Sequence, residues 1–406
     1  MSISIRTITD SDFEAFNATM ARTFARDFNP ENLHYRRELF EFDRNYGAFD
    51  GDECVGTSGI FTYQMAVPGG SLPTAGVTMV TVKSTHRRQG VLSGMMRAQL
   101  DQVRERGEPL AALWASESVI YGRFGYGLAA EAADLSIERT RTALEHSVPT
   151  PGRVRMVEAA EAREQWPAIW EQVRLAQPGM CTRSGGWWNN RVFKDPKDWR
   201  DGFTANVYVN YEVDGEVRGY LRYRMKSHWA DGVPKGTLRV EELMALTDDA
   251  YSALWQYAFS VDLMDKIEAP NRKPHEPLFY MLADPRRLMR ETHDSLWVRI
   301  VDIEKALAGR KYTVEGRVVF GISDPFTPAN GGRYLLEGGP AGAGCSRTGE
   351  PAQIELDVAD LGAAYLGGTA LQTLARAGRV RGDADALRLA DAMFSWQPMP
   401  WCPEVF

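Results

Sequence analysis

Gly76-Val77-Thr78-Met79-Val80-Thr81-Val82, followed by Lys83-Ser84-Thr85-His86-Arg87-Arg88-Gln89-Gly90-Val91-Leu92-Ser93-Gly94, carries the clearest structural signal in the chain. The first seven residues are rich in β-branched side chains, which suit a strand. From about Val91 to Arg106 the apolar residues Leu92, Met95, Met96, Leu100 and Val103 recur at helical spacing, so a helix is predicted there. Arg104 and Arg106 in its last turn, Gly107 past its end and Pro109 beyond are stop signals. Leu110-Ala111-Ala112-Leu113-Trp114-Ala115 then reads as a buried strand, completing an α/β unit. The loop at 85–94 suits an anion: a helix start offers free N–H groups and a positive dipole end, and Gly90 permits close approach. Arg87 and Arg88 add charge. It has no Gly-Lys-Ser/Thr ending and no three-glycine dinucleotide pattern. A phosphate loop and an ordinary basic surface turn both remain open on these residues alone.

Upstream, Ile3-Ser4-Ile5-Arg6 suggests a strand and Thr9-Asp10 the cap of a helix. The Asp50-Gly51-Asp52 turn between two apolar runs predicts a hairpin. Downstream, Val148-Pro149-Thr150-Pro151-Gly152 is a boundary signal. A second region follows, with a helix over 157–176, strands at 205–209, 219–223 and 238–246, and a helix with Tyr251, Leu254, Trp255 and Ala258 on one stripe. This order echoes residues 76–106 and suggests a diverged duplication. A third region from about Pro285 has strands at 295–301 and 312–322, a Gly-rich hairpin at 330–349, and helices around 357–366 and 383–394.

Length and composition set the class. A chain of 406 residues implies two or three domains, and 44% hydrophobic with 25% charged residues is a globular mix. The net charge of -7 argues against a nucleic-acid partner, and no apolar run approaches the ~20 residues of a membrane helix. The opening residues carry no secretory pattern, and Cys54, Cys181, Cys345 and Cys402 form neither a metal motif nor a disulfide framework. A cytoplasmic location is expected.

Arg87-Arg88-Gln89-Gly90-Val91-Leu92 resembles the pyrophosphate loop of the GNAT superfamily of N-acetyltransferases, Gln/Arg-x-x-Gly-x-Gly/Ala, with Leu92 in place of a small last residue. The longer stretch from Val80 to Leu92 resembles the Eis-type (enhanced intracellular survival) acetyltransferases, where leucine is tolerated after the glycine. Ala115-Ser116-Glu117-Ser118-Val119-Ile120-Tyr121-Gly122-Arg123-Phe124-Gly125-Tyr126-Gly127 resembles that family still more closely. Length, three-part order and an aromatic last residue agree. The resemblance implies an α/β (α+β) fold: a catalytic GNAT domain over 1–147, a degenerate GNAT-like domain over 150–285, and a sterol-carrier-like domain over 286–406. It implies acetyl-CoA as co-substrate and no metal. The strand backbone of Val80, Thr81 and Val82 would hold the pantetheine arm. Arg88, Gln89, Gly90, Val91, Leu92 and Ser93 would form the pyrophosphate loop, with Ser116 and Glu117 lining the cofactor. Arg87 is either a further contact or only a surface cation.

Transfer to an amine of pKa ~10.4 requires a base, and a thiolate leaving group with pKa near ~8.5 gains from an acid. Backbone N–H groups at the end of the 76–82 strand are candidates for oxyanion stabilisation. The resemblance places the acid at Tyr121; the residues alone also allow a packed aromatic, as Tyr126 is expected to be. It places the base at the terminal carboxylate of Phe406. Trp401, Pro403, Val405 and Phe406 read as a tail made to be buried, unlike a frayed terminus. Desolvation there would raise an α-carboxyl above ~3.3–3.7. A docked tail without chemistry, and Glu404 as base or as a wall for cations, stay open.

In the second region the equivalent loop is Leu246-Thr247-Asp248-Asp249-Ala250: a good helix start, but its aspartates would repel a pyrophosphate, so no cofactor is expected. The third domain is expected to present the tail and to assemble a homohexamer. The resemblance implies amine acceptors, either aminoglycosides acetylated at one or several positions or lysine side chains. Phe24, Tyr35, Phe40 and Phe42, with Asp27 and Glu41, could line the pocket or pack in the core. A dedicated peptide N-acetyltransferase and a non-catalytic acyl-CoA or lipid-binding protein are the alternatives.

Overall fold

The strand read over 76–82 extends from Gly70 to Val82 and forms a hairpin with Glu53–Val67. The Val91–Glu105 helix follows, burying Val91, Met95, Met96, Leu100 and Val103 against the sheet. Each such side chain contributes about 1.5–3 kcal/mol by leaving water. Leu92, placed on that stripe by its spacing, is only half-buried. Leu110–Trp114 then pairs in parallel with Gly70–Val82. In this computed structural model residues 3–146 and 148–406 are described; Met1, Ser2 and Ser147, the last at the expected end of the first domain, lie outside them.

Among the described residues the main sheet has twelve strands. From one edge they run Ser4–Thr7, Tyr46–Asp50, Glu53–Val67, Gly70–Val82, Leu110–Trp114 and Met289–Ile300. The second half continues with Gly127–Glu138, Met264–Arg272, Gly236–Ala245, Glu216–Lys226, Val207–Val213 and Arg153–Val157. The suspected duplication is visible in the pairing: Gly236–Ala245 and Met264–Arg272 form the second parallel pair, with helix Asp248–Ser260 as the crossover.

One strand departs from its expected place. The run at 295–301, read as part of the third region, belongs to Met289–Ile300, antiparallel to both Leu110–Trp114 and Gly127–Glu138 in the main sheet. Its alternating pattern predicted a strand but carried no information about partners. The third region's own sheet has five strands and starts at Gly316. Its helix Val358–Tyr365 is buried throughout and lies on the main sheet. Gly127 permits that docking: a Cβ there would lie 1.8 Å from the Ala359 carbonyl oxygen. No helix among the described residues is long and apolar enough to cross a membrane.

Candidate active site

The parallel ladder between Gly70–Val82 and Leu110–Trp114 ends at Gly76 and Ala112, so the strands part beyond it. Just past that point Gly70–Val82 carries an extra residue opposite Glu53–Val67, and Met79 adopts a left-handed φ of 54°. The Thr57 hydroxyl holds this bulge by donating to the Met79 carbonyl at 2.7 Å, and it accepts from Thr81 at 2.6 Å. The edge of residues 77–82 that faces the gap has no ladder partner, which leaves backbone groups for a ligand.

The loop after the strand turns sharply, with φ of 63° at Arg88 and 81° at Gly90. Gly90 caps the Val91–Glu105 helix in a left-handed conformation that costs glycine little. The first turn of that helix presents its unpaired N–H groups to a cavity of about 460 Å³. Val80, Thr81, Val82, Arg88, Gly90, Val91, Leu92, Ser93, Ser116, Glu117 and Tyr121 line it. Arg87 and Arg123 line it too, so its charge suits an anion. Gln89 does not: its side-chain amide folds back to the Thr85 carbonyl at 3.3 Å. Leu92 left the buried stripe for this wall.

A second cavity of about 720 Å³ adjoins the first. The two share Phe24, Val80, Ser116 and Tyr121 in their walls. The larger one also takes in Val405 and Phe406 from the tail and Asn190, Arg191 and Trp199 from the second unit. Of the aromatics named from the sequence, Phe24, Tyr35 and Phe40 line it, together with Asp27. Phe42 packs on Phe13 and Phe40, and the Glu41 carboxylate accepts from the Thr62 N–H and hydroxyl. Asn17, Arg36, Trp114, Asn190 and Arg191 were not foreseen. Nothing in their local pattern marked them, since distant segments bring them together.

Tyr121 sits on the short Ser118–Tyr121 helix just past the parting strand, 4% exposed. Burial raises its phenol above the ordinary tyrosine value, with the Ser116 hydroxyl acting in the opposite direction. The group therefore keeps its proton at neutral pH. Tyr126 is fully buried, its ring edge-on to Tyr121 at 6.1 Å, and packs in the core. The tail is tied down along its length. The Trp401 N–H donates to the Pro178 carbonyl at 2.9 Å and its indole to Asn271 at 2.8 Å. Arg191 donates to the Val405 carbonyl at 3.2 Å, and the Phe406 ring meets Tyr63 edge-on at 5.2 Å. Glu404 accepts from Arg183 and, at 2.8 Å, from the Trp187 indole. That carboxylate is engaged in holding the tail, which argues against Glu404 as base or as a wall for cations.

Comparison with known proteins agrees with this geometry. Residues 4–129 and 179–300 each match an acetyltransferase (GNAT) domain, and 303–403 match a sterol carrier protein domain. An N-acetyltransferase of Streptomyces avermitilis is 42% identical over 100% of both chains. The N-acetyltransferase Eis of Mycobacterium bovis is 34% identical over 97% of each. The crystal structure of Eis1 from Mycobacterium abscessus superposes with a TM-score of 0.87 at 33% identity, covering 100% of both chains. The chain is an N-acetyltransferase, which removes the non-catalytic alternative, and it belongs to the Eis-type family of the GNAT superfamily.

Proposed function

We propose that the protein moves an acetyl group from acetyl-CoA to a primary amine, with Tyr121 as general acid and the Phe406 carboxylate as general base. The observation that carries this reading is the meeting of the two cavities at Tyr121, with Phe406 in the wall of the larger. GNAT acetyltransferases use acetyl-CoA, and the 460 Å³ cleft fits it: arginines and unpaired helix N–H groups for a diphosphate, an unpaired strand edge for an amide-bearing arm. Val80, Thr81, Val82, Arg88, Gly90, Val91, Leu92, Ser93, Ser116 and Glu117 would hold it, and Gln89 would contribute backbone alone. Bound there, it would supply the activated acetyl group.

The residues around it do the rest. The strand edge at 77–82 can donate to charge developing on the reacting carbonyl oxygen. The Tyr121 phenol, kept protonated by burial, gives its proton to the departing sulfur. The carboxylate of Phe406, a residue in the wall of the larger cavity, takes one from the amine. Of the two acceptor classes implied by the family resemblance, the cavity favours lysine-type amines over aminoglycosides: Arg26, Arg36 and Arg191 line it and would repel a polycation. Assembly as a cytoplasmic homohexamer, with a first domain limit near 147 and a third domain that begins only after Met289–Ile300, completes the reading by family likeness.

A coenzyme A release assay with a panel of amines, run on native and C-terminally extended chains, tests it. Release with several amines by the native chain and a loss of about 100-fold or more on extension, with unchanged melting, are expected. Full activity of the extended chain would remove Phe406 from the mechanism.

A further inference from the structure

The larger cavity has an unusual charge. Arg26, Arg36 and Arg191 line it, against the single acidic side chain of Asp27 and the chain's own terminal carboxylate. Among the described residues none of the three arginines makes an ion pair. Arg36 is half-buried, yet its guanidinium has only two long contacts, to Asn17 Oδ1 at 3.4 Å and to the Met20 sulfur at 3.7 Å. Arg191 donates to the Val405 carbonyl and leans on the Trp187 ring. Other arginines nearby are satisfied: Arg37 pairs with Asp10, Arg44 with Glu108, and Arg183 with Glu242 and Glu404. The acids on adjoining segments are committed too, Glu38 to Asn190 and Glu404 to Arg183 and Trp187.

The five donors of this half-buried guanidinium have one neutral oxygen within reach and no anionic partner, which leaves most of the fork free for a ligand. Burial first, then repulsion from Arg191 and Arg26, press Arg36 below its usual affinity for the proton, which is the reverse of what a counter-ion does. An anion placed there would offset the repulsion and accept from the free donors. A volume of about 720 Å³ lies in the range of small-molecule sites, so the anion belongs on a small acceptor.

Resting on the acetyl-transfer reading above, we propose that the acceptor is a small amine that also carries an anionic group, which Arg36 and Arg191 bind with help from Arg26 while the amine faces Tyr121 and the tail. The anion is a carboxylate or a phosphate, both matched by the guanidinium fork. A polycationic sugar is excluded from the class.

The test compares acceptors with and without the anionic group, with the full chain and a free C-terminus. In coenzyme A release, 6-aminohexanoate is expected to exceed 6-aminohexanamide in kcat/KM on the order of 10-fold or more, carried mainly by KM. O-phosphoethanolamine against ethanolamine forms the second arm and distinguishes phosphate from carboxylate. Arg36→Gln and Arg191→Gln should each pull the acid-to-amide ratio towards one, and Arg36→Lys should restore part of it. Melting curves check that the variants fold. Neutral acceptors used as well as their anionic counterparts in both arms, or kanamycin used better than either anionic acceptor, would overturn the proposal. If no amine releases coenzyme A, the transfer reading fails on its own. Calorimetric binding of N-acetyl-6-aminohexanoate against its amide then decides the charge question: tighter acid binding supports it, and equal binding overturns it.

Discussion

The two acetyltransferase-like units of this chain share a frame and use it for different ends. In both, a parallel strand pair parts early: at Gly76 and Ala112 in the first, at Arg239 and Glu268 in the second. In both, the first strand of the pair carries one extra residue just past that point. The first unit leaves its gap open, lined by Val80, Thr81 and Val82, with Gly90 and three arginines around it. The second closes its gap. Arg272 donates across it to the Leu243 carbonyl at 3.0 Å and pairs with fully buried Glu276 at 2.6 Å. Tyr251 donates to the same carboxylate, and Asp249 at the helix start accepts from Tyr211.

The closed gap serves the open one. The Arg272 guanidinium lies 5.3 Å from the Trp401 ring centre, and Glu242, on the bulged strand, holds Arg183, which holds Glu404. The second unit thus anchors the tail whose last residues complete the first unit's larger cavity. A frame built to bind a ligand through strand edges serves equally well, once plugged by an ion pair, as an anchorage.

Four substitutions or measurements press on this contrast. Tyr121→Phe should lower kcat about 100-fold or more while coenzyme A affinity, measured by calorimetry, stays within about twofold. Because burial raises the phenol, its acid function is lost only as pH climbs beyond the ordinary tyrosine value of ~10, so a fall in kcat assigned to this group below that pH would contradict the assignment. Glu276→Gln should cost about 3–5 kcal/mol in denaturant unfolding, since it strands a buried guanidinium, and coenzyme affinity of the folded fraction should not change. Gly90→Asp imports the second unit's chemistry into the first. With a left-handed φ and a negative charge at the helix start, it should weaken coenzyme A binding on the order of 10-fold, and unaltered affinity would show that the loop is only a surface turn. The smallest effect is a stoichiometry: titration should give one coenzyme A per chain, and Asp249→Ala should leave that number unchanged.

Much of this was legible in order along the chain. The strand–helix–strand unit, the hairpin at Gly51, the echo in the second region and the helices of the third follow from periodicity and stop signals, which depend on neighbours only. The loop at Gly90 was legible for the same reason, because a left-handed glycine before an apolar helix is a local device. Gln89 was not, since whether a side chain points into a cleft or folds onto Thr85 depends on loop geometry. Nor was the partnership of Met289–Ile300, whose place between two first-unit strands is a matter of long-range pairing.

What the amino-acid order determined by itself is therefore the set of elements and the glycine turn before the Val91–Glu105 helix, because backbone preference and spacing act over a few residues. What only the tertiary structure decided is the larger cavity and its charge. Arg36, Arg191, Tyr121 and Phe406 stand up to 370 positions apart, and burial and unpaired donors are properties of surfaces that meet only when the chain is folded.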